Sequence, residues 1–253
     1  MQGIMKALAG MALFAFAVHA FAADEDLRIY GYAYDLKSGK YLYTEVHHQK
    51  VHDDHWVSGV IDYYGADGKQ IGHKVLDFSS DPYVPVFRME QKVLGYVEGI
   101  SAVGKTVEMY KKADASSAMQ TTTIKHTTPM AADSGFHSFI RGHFKELMAG
   151  QTVAFKLAVA GELDSFSFRI HRAADETWEG KPAVHLIVEP DSLLRFLVSP
   201  LNLLYRADDR TLLEYRGVSN IHDPATGKTY DVRLDYYTSK PADAPANLPP
   251  LDN

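Results

Sequence analysis

The chain has 253 residues, no cysteine, and 26 Lys and Arg against 32 Asp and Glu, a formal charge of −6. That balance disfavours binding to nucleic acid or to an anionic membrane surface, and without thiols the fold depends on burial rather than on disulfides. The length suits one large β domain with a sizeable core.

At the N-terminus Lys6 precedes an apolar run from Ala7 to Val18 and the small-x-small triplet Ala20-Phe21-Ala22. This is the form of a signal peptide with its cleavage site, so residues 1–22 are set apart from the fold. The mature chain is expected in the periplasm or outside the cell. The run falls short of the roughly 20 residues of a membrane span, and no cysteine stands near the cleavage site to take a lipid. Losing Lys6 leaves 25 basic against 32 acidic residues, a net charge of −7.

From Leu27 to Ile124 the pattern is strand after strand. Tyr30, Tyr32 and Tyr34 alternate up to a turn at Lys37-Ser38-Gly39-Lys40, and Tyr41, Tyr43 and Glu45 continue beyond it. Val57, Gly59, Ile61 and Tyr63 lead into Asp67-Gly68, a strong hairpin signal, with Ile71 to Phe78 as the return strand. Asp81-Pro82 and Pro85 interrupt pairing, since proline donates no ladder bond. Further strands are expected at Phe87 to Leu94, Tyr96 to Ala102, Thr106 to Lys111 and Met119 to Lys125.

A helix follows, over about 134–149. Phe136, Phe139, Ile140, Phe144 and Leu147 recur on one face of a 3.6-residue period. Asp133 or Ser134 is the expected N-cap, and Gly150 the residue that ends the helix at positive φ. Burying five such side chains is worth roughly 8 to 15 kcal/mol gross, against about 1 to 2 kcal/mol per residue of backbone entropy. The helix therefore needs a sheet to pack on, and Val153, Phe155, Leu157 and Val159 begin one.

The strand pattern resumes at Gln151 to Val159, Phe166 to Arg172 and Ala183 to Glu189. Pro190-Asp191-Ser192 opens a short helix carrying Leu193, Leu194, Phe196 and Leu197, and Leu203 to Tyr205, Leu212 to Tyr215 and Tyr230 to Tyr237 are the last strands. About eleven strands in all exceed what a flat sheet holds. The expected fold is mainly β: a curved antiparallel half-barrel or open barrel with the helix on its concave side. Residues 23–238 form this single domain. Residues 239–253, with Pro241, Pro245, Pro249 and Pro250, are read as an extended tail.

Two motifs invite chemistry. Gly99 to Thr106 spells the phosphate-loop pattern, but that chemistry needs a helix after the loop, and Val107 to Lys111 alternates like a strand. It is read as a hairpin turn. His47, His48, His52 and His55 surround Asp53-Asp54. In a hairpin turning at those aspartates, His52 and His55 face each other with Cβ atoms about 5 Å apart, a candidate metal pair. Two imidazoles and one carboxylate fall short of a structural zinc set, and a solvated hairpin is the plainer reading. There is no Gly-x-Ser-x-Gly elbow; the chain is read as non-catalytic and nothing in it calls for a cofactor.

The Tyr-rich meander, the mid-chain helix, the second meander, and the stretches Pro190-Asp191-Ser192-Leu193-Leu194-Arg195-Phe196-Leu197 and Gly217-Val218-Ser219-Asn220-Ile221 resemble uncharacterised exported bacterial proteins similar in shape to periplasmic lipoprotein carriers. The resemblance implies an apolar cavity beneath the helix, able to hold a lipid or acyl chain. Phe136, Phe139, Ile140, Phe144, Leu147, Leu193, Leu194 and Phe196 are the candidate cavity residues. Two other roles fit the same pattern. One is an envelope assembly partner working through edge strands or the tail; the other is a small outer-membrane barrel.

Overall fold

A computed structural model describes residues 25–192, 199–242 and 244. The expected signal peptide, most of the tail, and Leu193, Leu194 and Phe196 of the expected short helix lie outside the described residues. The first half of the chain is a run of eight strands, each antiparallel to the one before it: β1 (Glu25–Asp35), β2 (Tyr41–His52), β3 (His55–Gly65), β4 (Gln70–Asp77), β5 (Val86–Gln91), β6 (Tyr96–Val103), β7 (Thr106–Lys112) and β8 (Gln120–Lys125). The turns obey local chemistry. Asp53 and Asp54 carry φ of 49° and 64° in the β2–β3 hairpin, the left-handed pair that a two-residue turn requires and aspartate tolerates. Gly104-Lys105 simply joins β6 to β7, so the phosphate-loop letters form an antiparallel hairpin with no following helix.

The second half begins with β9 (Met130–Ala132), α1 (Gly135–Gly142) and α2 (Phe144–Met148). It continues through β10 (Val153–Val159), a 3-10 turn at Ala160–Glu162, β11 (Asp164–Arg172), β12 (Glu176–Trp178), β13 (Lys181–Pro190), β14 (Leu201–Tyr205), β15 (Leu212–His222) and β16 (Thr229–Tyr237). β16 pairs with β1 and so welds the two meanders into one sheet, with β8 at one edge, β9 at the other, and β12 attached beside β13. β9 lies parallel to β10. The sheet is not closed, but it curls until the 3-10 turn packs against β6 and β7. There Lys111 Nζ donates to the Gly161 carbonyl.

The fold class agrees with expectation; two details differ. Among the described residues sixteen strands form where about eleven were expected, partly because β9 and β12 have three residues each, too few to alternate. The single helix is broken at His143, with φ −102° and ψ 10°, whose Nδ1 donates to the Phe139 carbonyl at 2.9 Å. Ser134 is the N-cap position, without a side-chain capping bond. Gly150, at φ 77°, does end the helix. Gly135 and Gly142 let α1 approach the β4–β5 connection closely, since a Cβ at either would collide with Tyr83.

Strand alternation divides the side chains between two faces. On β1 the inward residues are Leu27, Ile29, Gly31 and Ala33, while Tyr30 and Tyr32 are buried on the outer face with Val46 and Tyr237. Ala244 of the tail packs against that outer tyrosine cluster. The inner face of β3 to β7 forms one apolar cluster around Ile61, Leu76, Met89 and Ile100. The helix forms the other with β10, β11, β13 and β14.

Candidate functional site

Between α1 and the inner face of the curled sheet lies a cavity of about 710 Å³. Its upper wall is apolar: Leu27 and Ile29 of β1, Phe136 and Ile140 of α1, Leu157 of β10 and Leu203 of β14. It reaches the end of the barrel where β1 begins and β16 ends, beside Trp178, Glu179 and Thr238. Both tryptophans of the chain, Trp56 and Trp178, line it.

The helix residues expected at this site separate into two groups. Phe136 and Ile140 face the cavity. Phe139, Phe144 and Leu147 are buried against Phe155, Ile170 and Leu186 instead, in the packed layer between helix and sheet. The reason is angular. A helix lying along a wall turns part of its apolar stripe to the wall and only its margin to the space.

The lower cavity is polar, which the apolar pattern did not announce. Lys74, 2% exposed, donates to Asp133 at 2.9 and 2.6 Å and lies 6.0 and 5.7 Å from the ring centres of Tyr63 and Phe87. Asp133 sits at φ 45° between β9 and α1, and also accepts from the Ser134 amide at 2.6 Å and from Asn220 at 3.3 Å. Burial pushes its pKa up, but Lys74 and the bonds from Ser134 outweigh this and hold the carboxyl below its ordinary range. Glu98 accepts from Tyr96 at 2.9 Å. Burial, and then the charge of Asp133, push its pKa up. One carboxylate is thus held ionised and its neighbour is biased toward neutrality.

A second polar group occupies the mid-wall. Glu45 Oε2 accepts from His47 Nε2 at 2.8 Å and from the Tyr236 hydroxyl at 3.3 Å. Burial, followed by the charge of Glu45, drives the Tyr236 pKa well up, so the phenol stays a donor. On α1, His137 shares a 3.0 Å hydrogen bond with Tyr205 and lies 4.9 Å from Trp56, centroid to centroid. Burial, then Arg141 and His47, pull its pKa down from 6.5 to about 3. Between those values only the unfolded chain takes the proton. Stability is therefore full above about pH 6.5 and is expected to fall toward pH 3, by up to about 1.4 kcal/mol per unit. His137→Phe should flatten that slope in urea midpoints measured at successive pH values.

His52 and His55 do face each other across the β2–β3 ladder, exposed at its end. Asp53 is 3.6 Å from His52, and Asp54 is taken by Arg141 and Arg210, which tie the hairpin tip to α1 and to the β14–β15 turn. Among the described residues no group of three or more His, Cys, Asp or Glu is arranged to hold a metal.

Neither a family model nor a curated protein matches the chain. Among solved structures, a beta-barrel-like protein of a domain of unknown function, DUF1849, from Brucella abortus is similar with a TM-score of 0.47 and 8% sequence identity, over 85% of this chain and 98% of that one.

Proposed function

We propose that the protein is a binding or carrier protein for a hydrophobic ligand such as a lipid or acyl chain, working without catalysis in the periplasm or outside the cell. The observation that carries this reading is the cavity of about 710 Å³ whose wall includes half-buried Leu27, Ile29, Phe136 and Leu157. That volume is within the range of pockets that enclose small ligands. Apolar side chains left unfilled by their own fold gain roughly 25 cal/mol for each Å² that a ligand covers.

The outer-membrane alternative is disfavoured by the outward side chains. Asp62 with His73, and Arg88 with Glu90, pair on the outer face of β3 to β5, where a membrane barrel presents an apolar band to lipid. Among the described residues no helix is long and apolar enough to cross a membrane.

Titration with N-phenyl-1-naphthylamine, an apolar dye that brightens out of water, tests the reading. The expected result is one saturable site, displaced by a long-chain lipid and weakened about tenfold or more in an Ile29→Ser, Phe136→Ser protein. Dye fluorescence that rises linearly, without saturation or displacement, would count against it.

A further inference from the structure

The inner face of β2 carries an unusual row, Glu45, His47 and Gln49, only 7%, 6% and 2% exposed. Glycines in the flanking strands make room for it. Gly31 of β1 lies between Glu45 and Tyr236 in register, and a Cβ there would come within 2.8 Å of the Tyr236 ring. The missing side chain lets Tyr236 reach across β1 to Glu45. Gly59 of β3 stands opposite Gln49, and a Cβ there would overlap the Gln49 amide. The row is thus built by two local exceptions to the apolar pattern of the inner face.

Its hydrogen bonds do not all close within the protein. Glu45 is bound by His47 and Tyr236. His47 Nδ1 and both polar atoms of the Gln49 amide are buried without a hydrogen-bond partner among the described residues. Leaving such groups unpaired costs about 1 to 3 kcal/mol each. The other buried charges of the inner face have partners, Lys74 in Asp133 and Glu98 in Tyr96, while buried Glu214 and Asp235 of the outer face lie against Arg216 and Arg233. His47 lines the cavity; Gln49 is not on its wall but lies two positions further along β2, paired with Leu27, which is.

The unspent capacity has a definite chemistry. A carboxylate only accepts, so in the neutral imidazole the bond to Glu45 puts the proton on His47 Nε2 and leaves Nδ1 an acceptor. Gln49 adds one acceptor and one donor group. Two acceptors and a donor beside the Glu45 carboxylate suit a group rich in O–H or N–H. A carboxylate or phosphate brings only acceptors and a charge that Glu45 repels.

Resting on the carrier reading above, we propose that His47 and Gln49, set by Glu45, are the head-group site of the cavity. The lipid they select is neutral, with hydroxyl or amide groups at its polar end, as in a monoacylglycerol.

The test compares monododecanoylglycerol with dodecanoate at about pH 8, where the acid is ionised, using the fluorescence of Trp56 and Trp178 on the cavity wall. The neutral lipid is expected to bind about tenfold tighter or better, and His47→Phe or Gln49→Leu to remove about tenfold of that affinity, so that the preference over dodecanoate is lost. Melting temperatures identify any variant that fails to fold, and the comparison on the unaltered protein stands without them. Equal affinities, a preference for dodecanoate, or folded variants that bind the neutral lipid as before would overturn the head-group site while leaving the carrier reading intact. Binding of neither lipid would overturn both.

Discussion

Replacing Lys74 with methionine is expected to lower the unfolding free energy by about 3 to 5 kcal/mol at neutral pH. The ammonium is 2% exposed and paired to both oxygens of Asp133. Methionine fills a similar volume, so packing is largely kept, and the loss comes from a carboxylate left buried without its cation. Asp133 is also the hinge on which β9 turns into α1, so the charge that is orphaned sits where the helix enters the barrel. The pH dependence follows from the lowered carboxyl of Asp133. A folded-state pKa below the ordinary 3.8 gives stability that is present above 3.8 and disappears as the pH falls through the lower folded value. The deficit of Lys74→Met should accordingly be largest at neutral pH and shrink in acid. A Lys74→Met, Asp133→Asn protein should recover part of it, because asparagine keeps the left-handed conformation and removes the unpaired charge. Urea unfolding of the three proteins at two pH values checks both statements; a single variant as stable as the parent at neutral pH would contradict them.

Truncating Phe139 to alanine is expected to cost about 3 to 5 kcal/mol, the usual loss for a filled aromatic site. Its side chain is fully buried, 4.9 Å from Phe155 and 5.5 Å from Tyr83, centroid to centroid. Phe136, one turn earlier, also stacks on Phe155 at 5.4 Å, but its other side faces the cavity. Phe136→Ala should cost clearly less stability and show its main effect in dye binding. The pair of variants separates core from cavity on a single helix. Similar losses of stability for both would mean that the cavity wall is as tightly packed as the layer behind it.

The architecture was largely legible because its signals are local. Asp53-Asp54 and Asp67-Gly68 announce turns through the φ values they tolerate, and the helix face announces itself through spacing. β9 escaped because three buried residues, Met130 to Ala132, carry no period, and its parallel partner comes 26 positions later at Lys156. The candidate site was legible only in part. Alternation shows that His47 and His48 point to opposite faces, but polar residues in a strand ordinarily mark the solvent side. That the row Glu45, His47 and Gln49 fits on the inner face depends on small residues of neighbouring strands, Gly31 beside Glu45 and Gly59 beside Gln49, whose register is a tertiary fact. Lys74 and Asp133 are 59 residues apart, and nothing in either local sequence names the other. Phe139, Phe144 and Leu147 were grouped with Phe136 and Ile140 because a periodicity identifies an apolar face without telling which part of it meets a wall.

The measurement that bears most directly on the cavity as a ligand site is extraction of the protein, purified without detergent from the compartment where it resides, followed by mass spectrometry of the organic phase. A lipid in near-stoichiometric amount is expected, and its loss from the Ile29→Ser, Phe136→Ser protein with the fold intact. A stable protein that yields no lipid, and takes none up when offered it, would rule out a lipid site and make the space between α1 and the sheet a feature of packing alone.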